Sequence, residues 1–497
     1  MKHFIKFTAL LTAVILLLGT VGCKDSYQNA IIYYEIPERP FTLDAQTAST
    51  DSELSIVKNI YEGLLRKNSS GAVVCGAAES FEKNGLKYTF KLRENGVWSN
   101  KEPLTAADFV FGLRRAVTPA TAAPFASRLF AIKNAKEIGS GKKSADTLGV
   151  SAPDEHTVII ELAYDDPSFE EALTTSVAMP CNEKFFNESG GKYGLTLNTV
   201  ISCGSYRLGR WNDDENSFGI RIYSFESYKG TFKAKNSAVY ITCTKDKTPY
   251  ERLCDNNVDI TFIDSALSDN AKAAGLKAAN YQNICWVMTM DSSLSENFRK
   301  SLAMLIGEQV YSADLKPGYS AATSVFPGVI SGEKSSAGML SYNADGAKAL
   351  YSAELKKQTD KKFPSDIKLY FYDNGVIKPI ITDIVGHWQN RLGAFINIET
   401  ASSADKLTPQ LKSRDLPIAV FPIRADSESL SEFSEKFGVS ASGKTADAVQ
   451  SELLRGTSII PLLFQNTTIA YSDALSDVYT VPGDGYIDFS FIVKTEK

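Results

Sequence analysis

The sequence predicts an α/β chain whose first half is mixed α+β, and two patterns carry that expectation. Short alternating apolar runs with few helices fill residues 31–228, whereas residues 367–421 follow a strand–helix–strand order. Ile31, Ile32, Tyr33, Tyr34 and Glu35 form the first strand-like run. Neighbours on a strand point to opposite faces, so core packing claims at least one of the two tyrosines. Tyr88, Phe90 and Leu92 alternate with polar residues and share one face of a half-buried strand. Trp98 precedes a polar turn at residues 99–103. Thr105 then caps a helix, its hydroxyl placed to accept from the N–H near Asp108, whose charge suits the positive end of the helix dipole. Phe109, Val110, Leu113 and Ala116 make the apolar stripe of that helix. Strands follow at 157–162 and within 206–228, the latter with a polar turn at 212–216.

In the second half, Ser295 caps a helix carrying Phe298, Leu302, Leu305 and Ile306. Residues 367–371 read as a strand. Ile377, Ile381, Ile384, Trp388 and Leu392 then recur at helical spacing, and Gly393 stops that helix as a C′ glycine does. Strands at 395–398 and 418–421 complete a right-handed βαβ unit.

Residues 1–22 have the form of a signal peptide. Lys2 and Lys6 give a positive start, and residues 8–18 are apolar but too few to span ~30 Å of hydrocarbon. Gly19, Thr20, Val21 and Gly22 precede Cys23, a run that resembles a bacterial lipobox and marks Cys23 for lipidation. Two acyl chains hold a protein at a membrane, whereas one binds only marginally. The rest of the chain is long enough for two or three domains. The net charge of −5, with both signs interspersed and no basic tract, argues against a nucleic-acid partner. Six cysteines remain after Cys23, none spaced C-x-x-C, and only His156 and His387 follow His3, so neither a zinc site nor a cofactor is implied. Whether those thiols pair is left open by the sequence.

A set of motifs then points to a family. Leu43-Asp44, Tyr61-Glu62-Gly63-Leu64, the AAES stretch ending at Ser80, YTFKLR at 88–93, Trp98-Ser99 and PLTAADFVFGLRR at 103–115 occur in the order found in family 5 extracellular solute-binding proteins. Asn100-Lys101 stands where that family has Asp-Gly. Residues 298–303, 342–350 and 388–393 resemble later motifs of the same family. The resemblance implies a two-lobed, periplasmic-binding-protein-like fold with an extra sub-domain in the first lobe. It divides the chain into 23–60 (lobe 1), 61–177 (extra sub-domain), 178–280 (lobe 1), 281–461 (lobe 2) and 462–497 (return to lobe 1). It also implies a monomeric, lipid-anchored, non-enzymatic receptor that captures peptides between its lobes and hands them to the permease of an ABC importer. Such a protein sits on the outer face of the cytoplasmic membrane, or in a periplasm where there is an outer membrane.

The same resemblance places a ligand-facing aspartate at Asp426, where it would pair with a peptide's α-ammonium. Arg424, two residues earlier, and Phe421 on the same strand join it as candidates, as do Tyr33, Tyr34 and Glu35 on the first strand. Ile423 and Ser427 stand where relatives carry Trp and Tyr, and Pro422 has no N–H to donate to a ligand strand. A competing reading has Asp426 cap a helix over 427–437.

Other classes fare less well. Gly438, Gly443, Lys444 and Thr445 fit the P-loop spacing G-x-x-x-x-G-K-[ST], but a polar helix-like stretch precedes them where a P-loop needs a buried strand. No G-x-S-x-G or H-E-x-x-H motif supports a hydrolase. Within binding proteins, the alternatives to a peptide are an oligosaccharide or a metal chelate, the latter disfavoured by the scarcity of histidine.

Overall fold

Apolar residues cluster into two bodies because the chain leaves the first after Ile260 and re-enters it only at Ile469. The computed structural model describes residues 30–214, 217–330, 338–359, 361–365, 367–425, 429–441, 443–479 and 486–495. One buried core gathers residues from Ile32 to Ile260 and again from Ile469 to Ile492. Two others, packed on opposite faces of shared strands, draw only on residues between Cys285 and Phe464.

The elements that position the cleft are, in chain order, β1 (Ile31–Glu35), α1 (Asp51–Ile60), β2 (Ala78–Asn84), β3 (Lys87–Leu92), α2 (Ala106–Val117), β4 (Val150–Asp154), β5 (Thr157–Glu161), β6 (Tyr206–Asp214), β7 (Ser217–Ser224), β8 (Ala238–Thr242), β9 (Ile260–Ile263), β10 (Lys277–Met290), α3 (Glu296–Ala303), β11 (Lys368–Tyr372), α4 (Ile377–Leu392), β12 (Asn397–Ala401), β13 (Ile418–Arg424), α5 (Leu430–Lys436), α6 (Ala446–Leu453) and β14 (Ile459–Tyr471). One sheet runs β12-β11-β13-β10-β14-β9-β1-β8-β7-β6, with a short strand at Tyr319–Ala321 added to β14. A separate four-stranded antiparallel sheet, β2-β3-β5-β4, belongs to the extra sub-domain of lobe 1.

That sub-domain follows its alternation closely. Tyr88, Phe90 and Leu92 are buried on one face of β3 and pack with Trp98 and Phe109. Asp108 Oδ2 accepts from the Thr105 N–H at 2.8 Å, the Thr105 hydroxyl at 3.1 Å and the Trp98 indole N–H at 3.2 Å. The carboxylate thus ties strand, turn and helix together, and the threonine hydroxyl donates to it. Burial pushes the Asp108 carboxyl above its usual range.

In lobe 2, Ser295 caps α3 by accepting from the Phe298 N–H. Gly393 ends α4 with φ 72°, the left-handed conformation that favours glycine. β11 pairs in parallel with both β12 and β13, as a βαβ connection requires. β12 starts at Asn397, two residues later than the sequence pattern indicates, because Phe395 is 69% exposed and the ladder begins at Lys368 against Asn397.

β10 and β14 are the two long strands. They pair antiparallel from Lys277 against Tyr471 to Thr289 against Ile459, so each begins in one lobe and ends in the other. The register slips between Gln282 and Ile284, leaving Asn283 as a bulge at the crossing. Asn283 is buried, its side-chain oxygen accepts from the Thr467 hydroxyl at 2.8 Å, and its carbonyl accepts from the Ala425 N–H at 2.7 Å. Cys75, Cys181, Cys203, Cys243, Cys254 and Cys285 are free thiols.

Candidate functional site

β13 carries the chain from the core of lobe 2 to the space between the lobes. Ile418, Ala419, Val420 and Phe421 are fully buried, and Arg424 at the end of the strand is half-buried. β10 follows β13 to the pair Ile284–Arg424, whereas β11 pairs only as far as Val420. Among the described residues, therefore, no strand covers residues 421–424 on the β11 side.

Arg424 reaches across to lobe 1. Its guanidinium lies 2.6 Å from Asp51 Oδ2. Asp51 is where it is because Thr50 and Glu53 form a capping box that starts α1 one residue earlier. Glu53 anchors that start, accepting from the N–H groups of Phe41, Thr42, Ser49 and Thr50. The Asp51 carboxylate thus faces both the helix dipole and an arginine of the other lobe. A second bridge joins Arg128 of the sub-domain to Glu432 in the first turn of α5, also at 2.6 Å. Around these bridges lies a cavity of about 60 Å³ lined in part by Asp51, Lys58, Arg128, Thr175 and Arg424. That volume holds a few waters, whereas small-molecule pockets need ~300 Å³ or more. A second, open cavity of about 630 Å³ lies beside Pro422, Ile423 and Arg424, with Leu411, Lys412 and Lys436 on its other walls.

Acidic groups also meet across the junction. Desolvation, then the charges of Asp166 and Glu432, push the Glu435 carboxyl above its usual range. Burial followed by Asp166 and Glu435 raises Tyr164.

Of the residues singled out from the sequence, Arg424 stands between the lobes. Phe421 packs in the core of lobe 2. Tyr34 is fully buried in lobe 1, where its hydroxyl donates to Ser55 and its ring meets Phe489 edge-on. Glu35 is 1% exposed and bonded within its own lobe, accepting from Thr244 and lying 3.0 Å from Arg252 Nε. Tyr33 is the exposed member of β1, with the Lys494 ammonium 5.1 Å from its ring centroid. Asp426 and Cys23 lie outside the described residues. The cap of α5 is Ser429, whose hydroxyl accepts from the Glu432 N–H, so the helix begins at Leu430, later than the pattern over 427–437 indicates. The P-loop-like segment joins α5 to α6, and Lys444 is paired with Glu452 at 2.6 Å. Sequence reasoning missed Asp51, Lys58, Arg128 and Glu432. Each reads locally as an ordinary helix or surface charge; the juxtaposition of the lobes pairs Asp51 with Arg424 and Arg128 with Glu432, while Lys58 bonds the Thr174 carbonyl within lobe 1.

Two lobes joined by a pair of continuous strands, with charged residues meeting between them, define a bilobed solute-binding protein. The chain belongs to the bacterial extracellular solute-binding proteins, family 5, whose middle-region model matches residues 72–444. It is 28% identical over 380 residues to a dipeptide-binding protein of Lactococcus lactis, covering 70% of this chain and 68% of that one. It is 32% identical over 225 residues to the periplasmic oligopeptide-binding protein OppA of Salmonella typhimurium, covering 44% of this chain and 41% of the other. In fold it matches Listeria monocytogenes OppA, solved bound to peptide, with a TM-score of 0.75 at 21% identity over 94% of this chain and 100% of the other.

Proposed function

We propose that this chain is the lipid-anchored receptor of an ABC importer that captures peptides between its lobes and delivers them to a permease. The observation that carries the reading is the stretch 421–424 of β13, which no strand covers on the β11 side among the described residues and which borders the open cavity of about 630 Å³ in lobe 2. A peptide lying along that edge would be held in part by its own backbone, with the bond at Pro422 missing because proline has no N–H, and backbone recognition tolerates varied side chains. Names of relatives support the peptide assignment. In this reading Asp426, just beyond β13, takes the peptide's α-ammonium, Cys23 carries the acyl chains and the protein acts as a monomer. Closure is a population shift, limited by how much more tightly the closed form holds the ligand. Since the inner cavity holds only a few waters, the lobes separate to admit a ligand.

Mass spectrometry of solute released from the purified chain tests this, with intact peptide expected and oligosaccharide overturning it. In calorimetry, Asp426→Asn should weaken a free-amino peptide by about tenfold, or ~1.4 kcal/mol. Unchanged affinity removes Asp426 from the site.

A further inference from the structure

We propose that the outer face of the lobe 1 sheet rests on an anionic membrane surface, an inference that builds on the lipid-anchor reading. The strand ladder sets this face. Tyr33, Tyr240, Arg221 and Arg210 stand opposite one another across β1, β8, β7 and β6. The next row toward the start of β1 is Ile31, Ala238, Tyr223 and Arg207. Their strand neighbours Ile32, Val239, Ile222 and Leu208 point the other way, into the core. The register slips between Leu208 and Arg210, leaving Gly209 as a bulge that returns Arg210 to the side of Arg207. A Cβ on Gly209 would lie 2.2 Å from the Tyr223 ring, so the missing side chain is what lets that ring lie across β6.

The face is aromatic and cationic. The Arg221 guanidinium lies 4.2 Å from the Tyr240 ring centroid, and that of Arg207 lies 5.6 Å from the Tyr223 centroid. Tyr33 meets Tyr240 edge-on and is 40% exposed. Among the described residues, no carboxylate forms an ion pair with Arg207, Arg210 or Arg221. Glu35 is held by Arg252, Asp259 by Lys494 and Asp213 by Arg39. Asp214, at the hairpin end of β6, and Glu226, in the loop after β7, are exposed and bridged to none of the three. Guanidinium groups grip phosphate oxygens in a bidentate fork, and tyrosine rings settle at the headgroup level of a bilayer.

The tether decides which partner meets this face. Seven residues separate Cys23 from Ile31, a reach of at most ~30 Å. From β1 to the edge strand β6 is three strand spacings, or ~14 Å. The loop from β7 to β8 returns to the same end, where the Ser237 N–H donates to the Ala30 carbonyl at 2.9 Å, and it carries exposed Lys229 and Lys233. With acyl chains on Cys23, lipid phosphates stay within reach of the arginines at all times, whereas a soluble partner has to find them.

The acylated chain reconstituted on vesicles tests this. It should float with neutral phosphatidylcholine vesicles, and failure to do so removes the anchor reading and this inference together. Hydrogen exchange is then compared between those vesicles and vesicles enriched in phosphatidylglycerol. Amides of β6 and β7 should exchange several-fold more slowly on the anionic vesicles, with lobe 2 amides unchanged as the internal reference. The slowing should fade as salt rises toward 1 M, where charges are screened within ~3 Å. The double variant Arg207→Gln, Arg210→Gln, at two exposed positions of an edge strand, should lose the slowing while keeping its Tm and still floating with neutral vesicles. Equal exchange on both kinds of vesicle, or slowing that survives in the double variant, overturns the inference and leaves the anchor intact. Slowing seen on isolated cell membranes but not on anionic vesicles overturns it too, assigning the face to a membrane protein.

Discussion

The Arg115–Asp44 pair inside lobe 1 and the Arg424–Asp51 pair between the lobes use the same contact for opposite ends. Arg115 lies 2.6 Å from Asp44, also donates to Gln46 at 2.7 Å, and stacks over Phe186 with 4.2 Å to the ring centroid. Its side chain is 11% exposed and that of Asp44 7%. Arg424 and Asp51 are equally close, at 2.6 Å, but 27% and 25% exposed. Distance does not separate these pairs; access of water does. A buried guanidinium robbed of its carboxylate has nowhere to go, whereas Arg424 can exchange one carboxylate for water or for a ligand.

The sharpest way to break that comparison is Asp44→Ala. It strands Arg115 among aromatic rings and should cost roughly 3–5 kcal/mol of stability, read by denaturant unfolding. A loss below 1 kcal/mol would place the buried pair in the same class as the cross-lobe one. Next comes the packing that keeps Arg115 in place. A Cβ on Gly112 would lie 2.5 Å from the Met179 carbonyl oxygen, backbone that cannot swing aside. Gly112→Ala should therefore cost about 1–3 kcal/mol.

Asp51→Asn should cost only ~0–1 kcal/mol in global stability. Its readout is shape: the ligand-free radius of gyration in X-ray scattering should rise as the lobes part. An unchanged radius would show that the Arg424 bridge does not hold them together. The smallest effect concerns Glu435, whose folded-state pKa is raised by desolvation and by Asp166 and Glu432, against the opposing charges of Lys136 and Lys412. A raised carboxyl favours the folded state while protonated, and that contribution is lost as pH climbs through the raised value. Glu435→Gln should therefore gain Tm over the parent as pH rises from about 4 to 7. A gap that closes instead would reverse the sign.

Periodicity made much of the scaffold legible. The strand holding Tyr88 and Phe90, the helix begun by Thr105, and the helix ended by Gly393 are each fixed by local chemistry that a sequence displays. The long strands β10 and β14 were not legible as a pair, because their partners lie nearly two hundred residues apart and their alternation is broken where Asn283 bulges. The site was less legible still. Phe421, Tyr34 and Glu35 sit on the right strands, but strand membership does not tell which face meets the cleft, and these three are packed or bonded within their lobes. Asp51 was hidden in plain sight as the first residue of a well-capped helix.

The long strands also set an order of assembly. β9 of lobe 1 is completed only when Ile260 meets Tyr471, at the far end of β14. Lobe 2 is encoded almost entirely between those two positions. During synthesis, lobe 1 therefore starts first yet waits with an open strand edge while lobe 2 is made, and such edges invite wrong partners. The last strand of lobe 2 is the one that closes lobe 1.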